Sequence, residues 1–266
     1  MEKAIREAEK EWHEAHYELK RGQDLVVPEA IRKRYLHPRR RAQFHLEHVY
    51  HELGDLRGKR VLYYGCGADN STVLLALKGA EVFAFDLSEH AIRLQRAMAA
   101  ANGVASRVHV LVSAAEELPF SAGAFDIVVG IAILHHIPDH LSSTPGELAS
   151  ILRPGGRAIF AEPVIRNRFL GWFLRLLPLH DATSPGERQL TDADLEHFET
   201  DFRSRRVFFS VLSRLDRFIC KGPLETAPAA CRLLVQAVHA LDGMILRVPF
   251  ADRLAAIAVL DLLRKS

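Results

Sequence analysis

From residue 59 onward, short apolar runs alternate with longer stretches in which apolar positions recur at a helical period. The apolar runs predict buried strands at residues 60–64, 81–85, 107–112, 125–130 and 157–161. The stretches between them predict helices at about 70–78, 88–101 and 144–152, the second capped by Ser88 and stopped by Asn102-Gly103. Strands that alternate with helices in this way indicate βα units and a parallel sheet.

The alternation loosens after residue 162. Residues 163–190 form a connection of unusual length, and Thr191 then caps a short helix. A sixth strand is predicted at 207–209 and a helix at about 226–247. The apolar run at 255–260 fits either a last strand or a buried helix, because periodicity does not separate the two in a short run. With the strand, the fold is α/β, with a Rossmann-like, mostly parallel seven-stranded sheet and helices on both faces.

The first 53 residues have a different character, since they are charged, helical in pattern and interrupted at Gly22, Pro28 and Pro38. We therefore divide the chain into an N-terminal helical cap, residues 1–53, and a Rossmann-like domain, residues 54–266. The domain includes the insertion 163–190 and the C-terminal helices at about 226–247. The cap is expected to act as a lid over the domain.

Composition excludes several classes of protein. The formal charge of +2 over 266 residues is too small to argue for a nucleic acid partner. Basic clusters at 32–41 and 203–206 are either solvated faces or contacts for an anionic partner. Three cysteines without a C-x-x-C pair argue against a structural zinc site, and we expect no metal. A cytoplasmic protein is expected, because neither a signal-peptide core nor an apolar run of about 18 residues is present.

The most informative stretch is a strand that runs into two glycines, Tyr64-Gly65-Cys66-Gly67. Glycines at such a turn let the backbone approach a bound ligand without an intervening Cβ. The start of the following helix offers free N–H donors to polar or anionic groups. A plain tight turn would also fit this pattern, so the loop alone does not identify a ligand.

A carboxylate strengthens the interpretation as a binding site. The second strand ends in Asp86, about 20 residues beyond the glycines, where this fold places an acidic side chain beside a ribose. Such a side chain accepts hydrogen bonds from both ribose hydroxyls. The alternative is that Asp86 only caps the helix that follows Leu87.

Four stretches in register resemble the class I S-adenosylmethionine-dependent methyltransferases, in particular their small-molecule, type 11 group. They are the glycine loop with Asp86, then AEELPF at 115–120, FDIVVGIAILHHI at 125–137 and LRPGG at 152–156. The resemblance covers residues 58–162 closely and implies S-adenosyl-L-methionine as the cofactor. It implies a cofactor site formed by Tyr64, Gly65, Cys66, Gly67, Asp69, Asp86, Leu87, Ala114, Ala115, Glu116 and Ile131.

Two rival enzyme classes fit less well. Nicotinamide-dependent oxidoreductases use G-x-G-x-x-G, but this chain has Asn70 in place of the third glycine. Methyltransferases that act on base amines carry an Asn/Asp-Pro-Pro-aromatic motif where this chain has ILHH at 133–136. We therefore expect a small-molecule acceptor and no nucleic acid.

The chain also departs from the family pattern at two acidic positions. Tyr63 stands two residues before the first glycine, and Ala114 directly precedes the AEELPF stretch. In the family, the first acid orients the amino acid part of the cofactor and the second contacts the adenine amine. Asp69 is the candidate replacement for the first, and Glu116 or Glu117 for the second. Without such replacements the protein would bind a ligand or partner without catalysis.

The catalytic candidates follow from the chemistry of methyl transfer, which requires alignment of the reactants and, for a hydroxyl acceptor, a general base. His135 and His136 follow the fourth strand at the carboxyl edge where ligands of this fold bind, and Glu162 ends the fifth strand. The alternative for one histidine is structural packing. For Glu162 it is capping of the loop that begins at Pro163.

The sequence gives fewer indications of which residues bind the methyl acceptor. Apolar residues and arginines surround Trp172 in the insertion, which predicts either a helix that covers the sheet or a lid for a natural-product or lipid-like acceptor. The N-terminal helices, with Trp12 and His13, are expected to close over the same opening. We assign substrate binding to Tyr35, His135 and Trp172. The apolar stretch 233–250 is core, a homodimer face or a contact with a membrane surface.

Overall fold

A computed structural model describes residues 2–18, 24–39, 43–116, 118–167, 184, 186–220, 222 and 224–265. In this part of the chain seven strands form one sheet in the order β3-β2-β1-β4-β5-β7-β6. The strands are β1 Arg60–Tyr64, β2 Glu81–Asp86, β3 Val108–Val112, β4 Phe125–Ile131, β5 Leu152–Pro163, β6 Phe202–Phe209 and β7 Ile257–Arg264. Strands β1 to β5 pair in parallel, and β7 is antiparallel to β5 and β6. The predicted Rossmann-like, mostly parallel sheet is confirmed.

The helices begin and end close to the predicted residues. They are α1 Glu2–Glu18, α2 Glu29–Leu36, α3 His45–Leu53, α4 Ser71–Leu77, α5 Glu89–Ala101, α6 Thr144–Ile151, α7 Asp192–Glu196, α8 Asp216–Ile219 and α9 Ala229–Ile245. Ser88 caps α5 by accepting the N–H of Ala91 at 3.2 Å. Thr191 and Asp194 form a capping box at the start of α7. Both predicted caps are confirmed, because a side-chain oxygen satisfies an otherwise unpaired helix N–H in each case.

The fifth strand starts earlier than predicted. It begins at Leu152 rather than at residue 157, because the chain leaving α6 pairs with Phe125 at once. A register shift between Phe125 and Ile127 accommodates the LRPGG turn within the strand, with Gly155 at a φ of 71°. The run near residue 257 is a strand, and it pairs with a neighbour on both sides.

Helices cover both faces of the sheet, as predicted. Successive strand residues point to opposite faces. Val61 and Tyr63 therefore pack in one apolar cluster with α3, α4 and α5. Leu62 and Tyr64 pack in the other, with α6 and the residues around α7. The carboxyl ends of β1, β2 and β4 lie between these two clusters, where ligands of this fold bind.

The N-terminal helices are fastened to α5. Glu14 of α1 accepts the N–H of Glu89 at 2.7 Å and lies 2.5 Å from Nδ1 of His90. Arg32 of α2 donates to Oδ1 of Asn102, at the other end of α5, at 2.7 Å. The cap is thus held over the edge of the sheet that carries the glycine loop.

One arginine from each of the two basic clusters shows extensive pairing with carboxylates of other elements. Arg34 contacts carboxylate oxygens of Glu47 and Glu225 at 2.5 and 2.6 Å. Arg205 lies 2.6 Å from Glu52 and 2.8 Å from Asp261. These ion pairs join separate elements, so the charges of Arg34 and Arg205 are neutralised within the chain.

The stretch after residue 232 is not core, apart from scattered positions such as Val235. Leu233, Met244 and Phe250 are 67%, 57% and 73% exposed. The interpretation of this stretch as core is therefore wrong for these side chains, and the apolar face of α9 is left on the surface. None of the described helices is long and apolar enough to cross a membrane.

Candidate functional site

A cavity of about 670 Å³ opens at the carboxyl edge of the sheet, under α1. Its walls come from the glycine loop, the ends of β2, β3 and β4, helix α1 and the end of the long insertion. Ten of the eleven predicted cofactor residues line it, namely Gly65, Cys66, Gly67, Asp69, Asp86, Leu87, Ala114, Ala115, Glu116 and Ile131.

The glycine loop is shaped by positive φ angles of 66° at Gly65 and 48° at Gly67. A Cβ at Gly65 would lie 2.4 Å from Cδ1 of Ile133, so no larger residue fits without displacing the loop after β4. Gln95 of α5 fixes the same loop, because its Nε2 donates to the carbonyls of Gly67 and Asp69, both at 3.0 Å. The alternative of a plain tight turn does not explain why a fully buried side chain anchors this turn.

Gln95 was not among the residues predicted from the sequence, although a signal was present. The residue lies on the buried face of α5 with Ile92, Met98 and Ala99. A polar side chain among apolar positions of an amphipathic helix requires a buried partner. Here the partners are loop carbonyls, which periodicity alone cannot reveal.

Asp86 lies in the cavity wall with both carboxylate oxygens engaged. Oδ2 accepts the N–H of Gly67 at 2.8 Å, and Oδ1 accepts the N–H of Ser88 at 2.9 Å. Burial raises the pKa of Asp86, and these two N–H donors oppose that rise. The helix cap is the hydroxyl of Ser88, so Asp86 is placed between the glycine loop and the cavity and does more than cap α5.

The departure at Tyr63 is compensated within the site. The buried Tyr63 hydroxyl donates to Oδ2 of Asp69 at 2.6 Å, and the N–H of Ser71 donates to Oδ1 at 2.7 Å. Burial and the nearby Asp69 charge raise the pKa of Tyr63, which therefore stays a protonated donor. A carboxylate is thus present at the cavity wall, supplied by Asp69 and oriented by the residue that replaces the family's acid.

The prediction for Tyr64 is wrong as far as its side chain is concerned. Tyr64 points to the opposite face of the sheet, is only 1% exposed and is absent from the cavity wall. Its hydroxyl donates to the carbonyl of Ala115 at 3.1 Å and so supports the loop after β3 from behind. The strand alternation that directs Tyr63 towards Asp69 directs its neighbour away. Glu117 lies outside the described residues.

Glu162 lies beneath the cavity and does not line it. Its side chain is fully buried. Oε1 accepts the N–H groups of Ile133 and Leu134, both at 2.9 Å, and Oε2 lies 2.9 Å from Nδ1 of His135. The carboxylate therefore organises the loop after β4 and orients a histidine, and it does not cap the loop at Pro163.

Both predicted histidines line the cavity, with ring centroids 4.1 Å apart. Nε2 of His135 lies 3.7 Å from Oε1 of Glu187. Nδ1 of His136 lies 3.0 Å from the Ser184 hydroxyl and 3.5 Å from Oε2 of Glu9. Ser184 and Glu187 contact these histidines, so described residues near the end of the insertion reach the cavity, and the role of the insertion as a lid stays a prediction.

Helix α1 forms the roof of the cavity through Glu9, Trp12 and His13. Trp12 and His13 pack edge to face with centroids 4.9 Å apart, and the His13 ring lies 5.1 Å from that of His136. Glu9, which was not predicted from the sequence, accepts the N–H of Gly186 at 2.6 Å. Burial would raise the pKa of Glu9, but contacts with His13, His136 and Gly186 outweigh it and lower that pKa.

The predictions that Tyr35 and Trp172 bind the substrate are not confirmed. Tyr35 does not line this cavity, because it packs against Tyr50 with ring centroids 5.1 Å apart, next to α3. Tyr35 lies on α2, whereas the cap residues that cover the opening lie on α1. Trp172 lies outside the described residues, and its assignment stays a prediction.

Comparison with known proteins agrees with this geometry. Residues 62–160 match the protein family described as methyltransferase domain. The matched region begins in β1 and ends in β5, and it includes the glycine loop, Asp86 and both catalytic histidine candidates.

Two curated relatives extend this comparison. The ubiquinone biosynthesis O-methyltransferase of Aromatoleum aromaticum is 37% identical over 122 residues, which are 46% of this chain and 50% of that protein. An uncharacterized protein of Mycobacterium tuberculosis is 39% identical over 176 residues, 63% of this chain and 61% of that protein. The chain thus spans about half the length of the first relative and somewhat more of the second.

Among solved structures, geranyl diphosphate C-methyltransferase from Streptomyces coelicolor has a TM-score of 0.59 to this chain at 13% identity. The match covers 82% of this chain and 79% of that one, which was solved with S-adenosyl-L-homocysteine bound. At this identity the likeness shows the fold alone.

Proposed function

We propose that this chain is a class I S-adenosylmethionine-dependent methyltransferase that transfers a methyl group to a hydroxyl of a small molecule. The observation that carries the proposal is the pairing of two sites in one cavity. A glycine loop flanked by Asp69 and Asp86 lies on one side, and a carboxylate-oriented histidine lies on the other.

The cofactor side of the cavity suits S-adenosyl-L-methionine, which supplies a methyl group on a sulfonium when bound. Asp86 is positioned to accept hydrogen bonds from ribose hydroxyls. Asp69 offers a carboxylate to an ammonium group, and its two internal donors fix its orientation. The glycines remove the side chains that would keep a ligand away from the loop backbone.

The acceptor side suits removal of a proton from a hydroxyl. Glu162 accepts a hydrogen bond from Nδ1 of His135, which leaves Nε2 as the acceptor atom on the cavity side. His135 is thus the proposed general base, and Glu162 is a positioning residue. His136 and the lid residues exclude water from the opening.

The second candidate function is ligand binding without methyl transfer. It is favoured by one observation, that an alanine, Ala114, stands in the cavity wall where the family carries an acid. The cofactor and its demethylated product bind similarly in an active enzyme, whereas a protein that has abandoned the cofactor binds neither.

Calorimetry with S-adenosyl-L-methionine and S-adenosyl-L-homocysteine tests the first step of this proposal. We expect one site per chain for both. Incubation with a panel of phenols, catechols and lipid alcohols then tests transfer, with the methylated product detected by mass spectrometry. His135→Gln should abolish most of the turnover and leave the Kd for S-adenosyl-L-homocysteine within about twofold, a difference below roughly 0.5 kcal/mol. No binding of either ligand would contradict the proposal.

A further inference from the structure

Three side chains from two separate elements meet at the roof of the cavity. Oε2 of Glu9 lies 3.3 Å from Nε2 of His13 and 3.5 Å from Nδ1 of His136. We propose that Glu9, His13 and His136 bind one divalent transition-metal ion of the Zn²⁺ type, which fastens α1 to the loop after β4. This inference goes beyond methyl transfer and does not depend on it.

The spacing of these atoms agrees with a tetrahedral metal site. Ligand bonds of about 2.1 Å at tetrahedral angles place neighbouring ligand atoms roughly 3.4 Å apart. The two carboxylate–imidazole distances, 3.3 and 3.5 Å, lie on either side of that value, and all three ligand atoms lie within 4.8 Å of one another. Glu9 and His13 are four residues apart on α1, the spacing at which two side chains of one helix face can hold the same ion.

The burial of Glu9 is the second argument. Its side chain is 8% exposed, and Oε2 accepts no hydrogen bond of good geometry. Among the described residues, the partners of this carboxylate are two imidazoles, Ser184 and the N–H of Gly186, with no Lys or Arg. A buried carboxylate is costly unless a positive charge compensates it, and a divalent cation supplies that charge.

The donor set determines the class of metal. Two imidazoles and one carboxylate form the ligand set of catalytic zinc sites and of some iron sites, whereas Mg²⁺ and Ca²⁺ prefer oxygen ligands. Three protein ligands leave a position open for water or for an oxygen of a bound molecule. His135 and Glu187 lie beside His136 and form a second triad of metal-ligand type with it.

The chain offers an internal reporter for this site, because it has two tryptophans and one of them, Trp12, packs against His13. In a Trp172→Phe background, titration with Co²⁺ should quench Trp12 fluorescence with a stoichiometry of one. Zn²⁺ should reverse the quenching. The Co²⁺ complex should show d–d absorption without a thiolate charge-transfer band, since the proposed ligands contain no sulfur.

Three variants in this background distinguish a metal site from an ion pair. Glu9→Gln and His136→Ala should each weaken Zn²⁺ affinity at least tenfold in calorimetry, with thermal melts that confirm folding. Glu11→Gln, on the exposed side of the same helix, is the matched control and should bind within twofold of the parent. Unchanged affinity in Glu9→Gln, or no saturable binding by the parent chain, would show an ion pair between a carboxylate and protonated imidazoles only and would overturn the proposal.

Discussion

At the scale of single residues, the cavity presents a carboxylate from a different position than the one that the resemblance predicts. The carboxylate expected at position 63 is absent, and Asp69 presents one instead, held by the Tyr63 hydroxyl at 2.6 Å. A tyrosine at a buried strand position cannot itself be the anion, because burial raises its pKa. The pair Tyr63–Asp69 therefore acts as a unit, with one residue orienting and the other carrying the charge.

Asp86 gives the residue-scale prediction. Asp86→Ala removes hydrogen bonds to a charged acceptor, which are worth about 1.5–3 kcal/mol. We expect the Kd for S-adenosyl-L-homocysteine, measured by calorimetry, to rise roughly tenfold or more. Asp55→Ala is the control, because Asp55 is exposed, pairs with Arg57 and is not among the residues that line the cavity. A folded Asp86→Ala protein with the parental Kd would remove Asp86 from the cofactor site.

At the scale of elements, helix α5 supports the site from its start and from its middle. Its start carries Ser88 and the contacts to Glu14 of α1, and its middle carries Gln95, which holds the glycine loop. The loop conformation therefore depends on a helix that contributes no residue to the cavity wall after its first turn. These hydrogen bonds connect helix α1, the glycine loop and helix α5.

A substitution at Gln95 should change the affinity for S-adenosyl-L-homocysteine more than it changes the thermal stability. Its Nε2 donates to the loop, whereas its buried Oε1 has no hydrogen-bond partner among the described groups. Gln95→Leu leaves the loop carbonyls without this donor but also removes an unsatisfied buried oxygen, so the Tm should fall only modestly. The released loop should weaken S-adenosyl-L-homocysteine binding by about tenfold, as expected for the loss of roughly 1.4 kcal/mol.

The control for this prediction is Met98→Leu, a volume-conserving change on the same buried face of α5. It should alter neither the Tm nor the affinity by much. If Gln95→Leu lowered the Tm strongly and left the affinity unchanged, Gln95 would be a packing residue with no role at the loop.

At the scale of the whole molecule, the apolar face of α9 is suited to a partner. Exposed apolar side chains recur along α9 at Leu233, Leu234, Leu241 and Met244, at spacings close to those of a helix–helix seam. Helices that lie on membranes are rich in Lys and Arg, but α9 contains one arginine, Arg232. A second copy of the chain therefore suits this face better than a membrane surface.

We expect the protein to be a homodimer in solution. Light scattering after size exclusion should give twice the mass of one chain, and the double change Leu241→Glu and Met244→Glu should give the mass of one. Affinity for S-adenosyl-L-homocysteine should be unaffected, because α9 does not line the cavity. Binding of the parent chain to anionic vesicles, with a monomer in solution, would favour the membrane alternative.

The sequence by itself determined the first five strands, their order of appearance, the two helix caps and most of the residues that line the cavity around the glycine loop. These features depend on local rules: apolar runs form strands, Ser and Thr satisfy helix N–H groups, and glycines permit the turn between β1 and α4. Because the carboxyl ends of parallel strands share one edge, the order of the strands is enough to bring Asp86, Ala114 and Ile131 together.

Only the tertiary structure decided which side chains face the cavity and which support it from behind. Tyr64, Glu162 and Gln95 act from outside the wall, and Tyr35 packs elsewhere. Glu9 meets His136 across 127 positions of sequence, because α1 docks on α5 and crosses the loop after β4. Such contacts depend on how separate elements dock, and the period of apolar residues along the chain contains no information about docking.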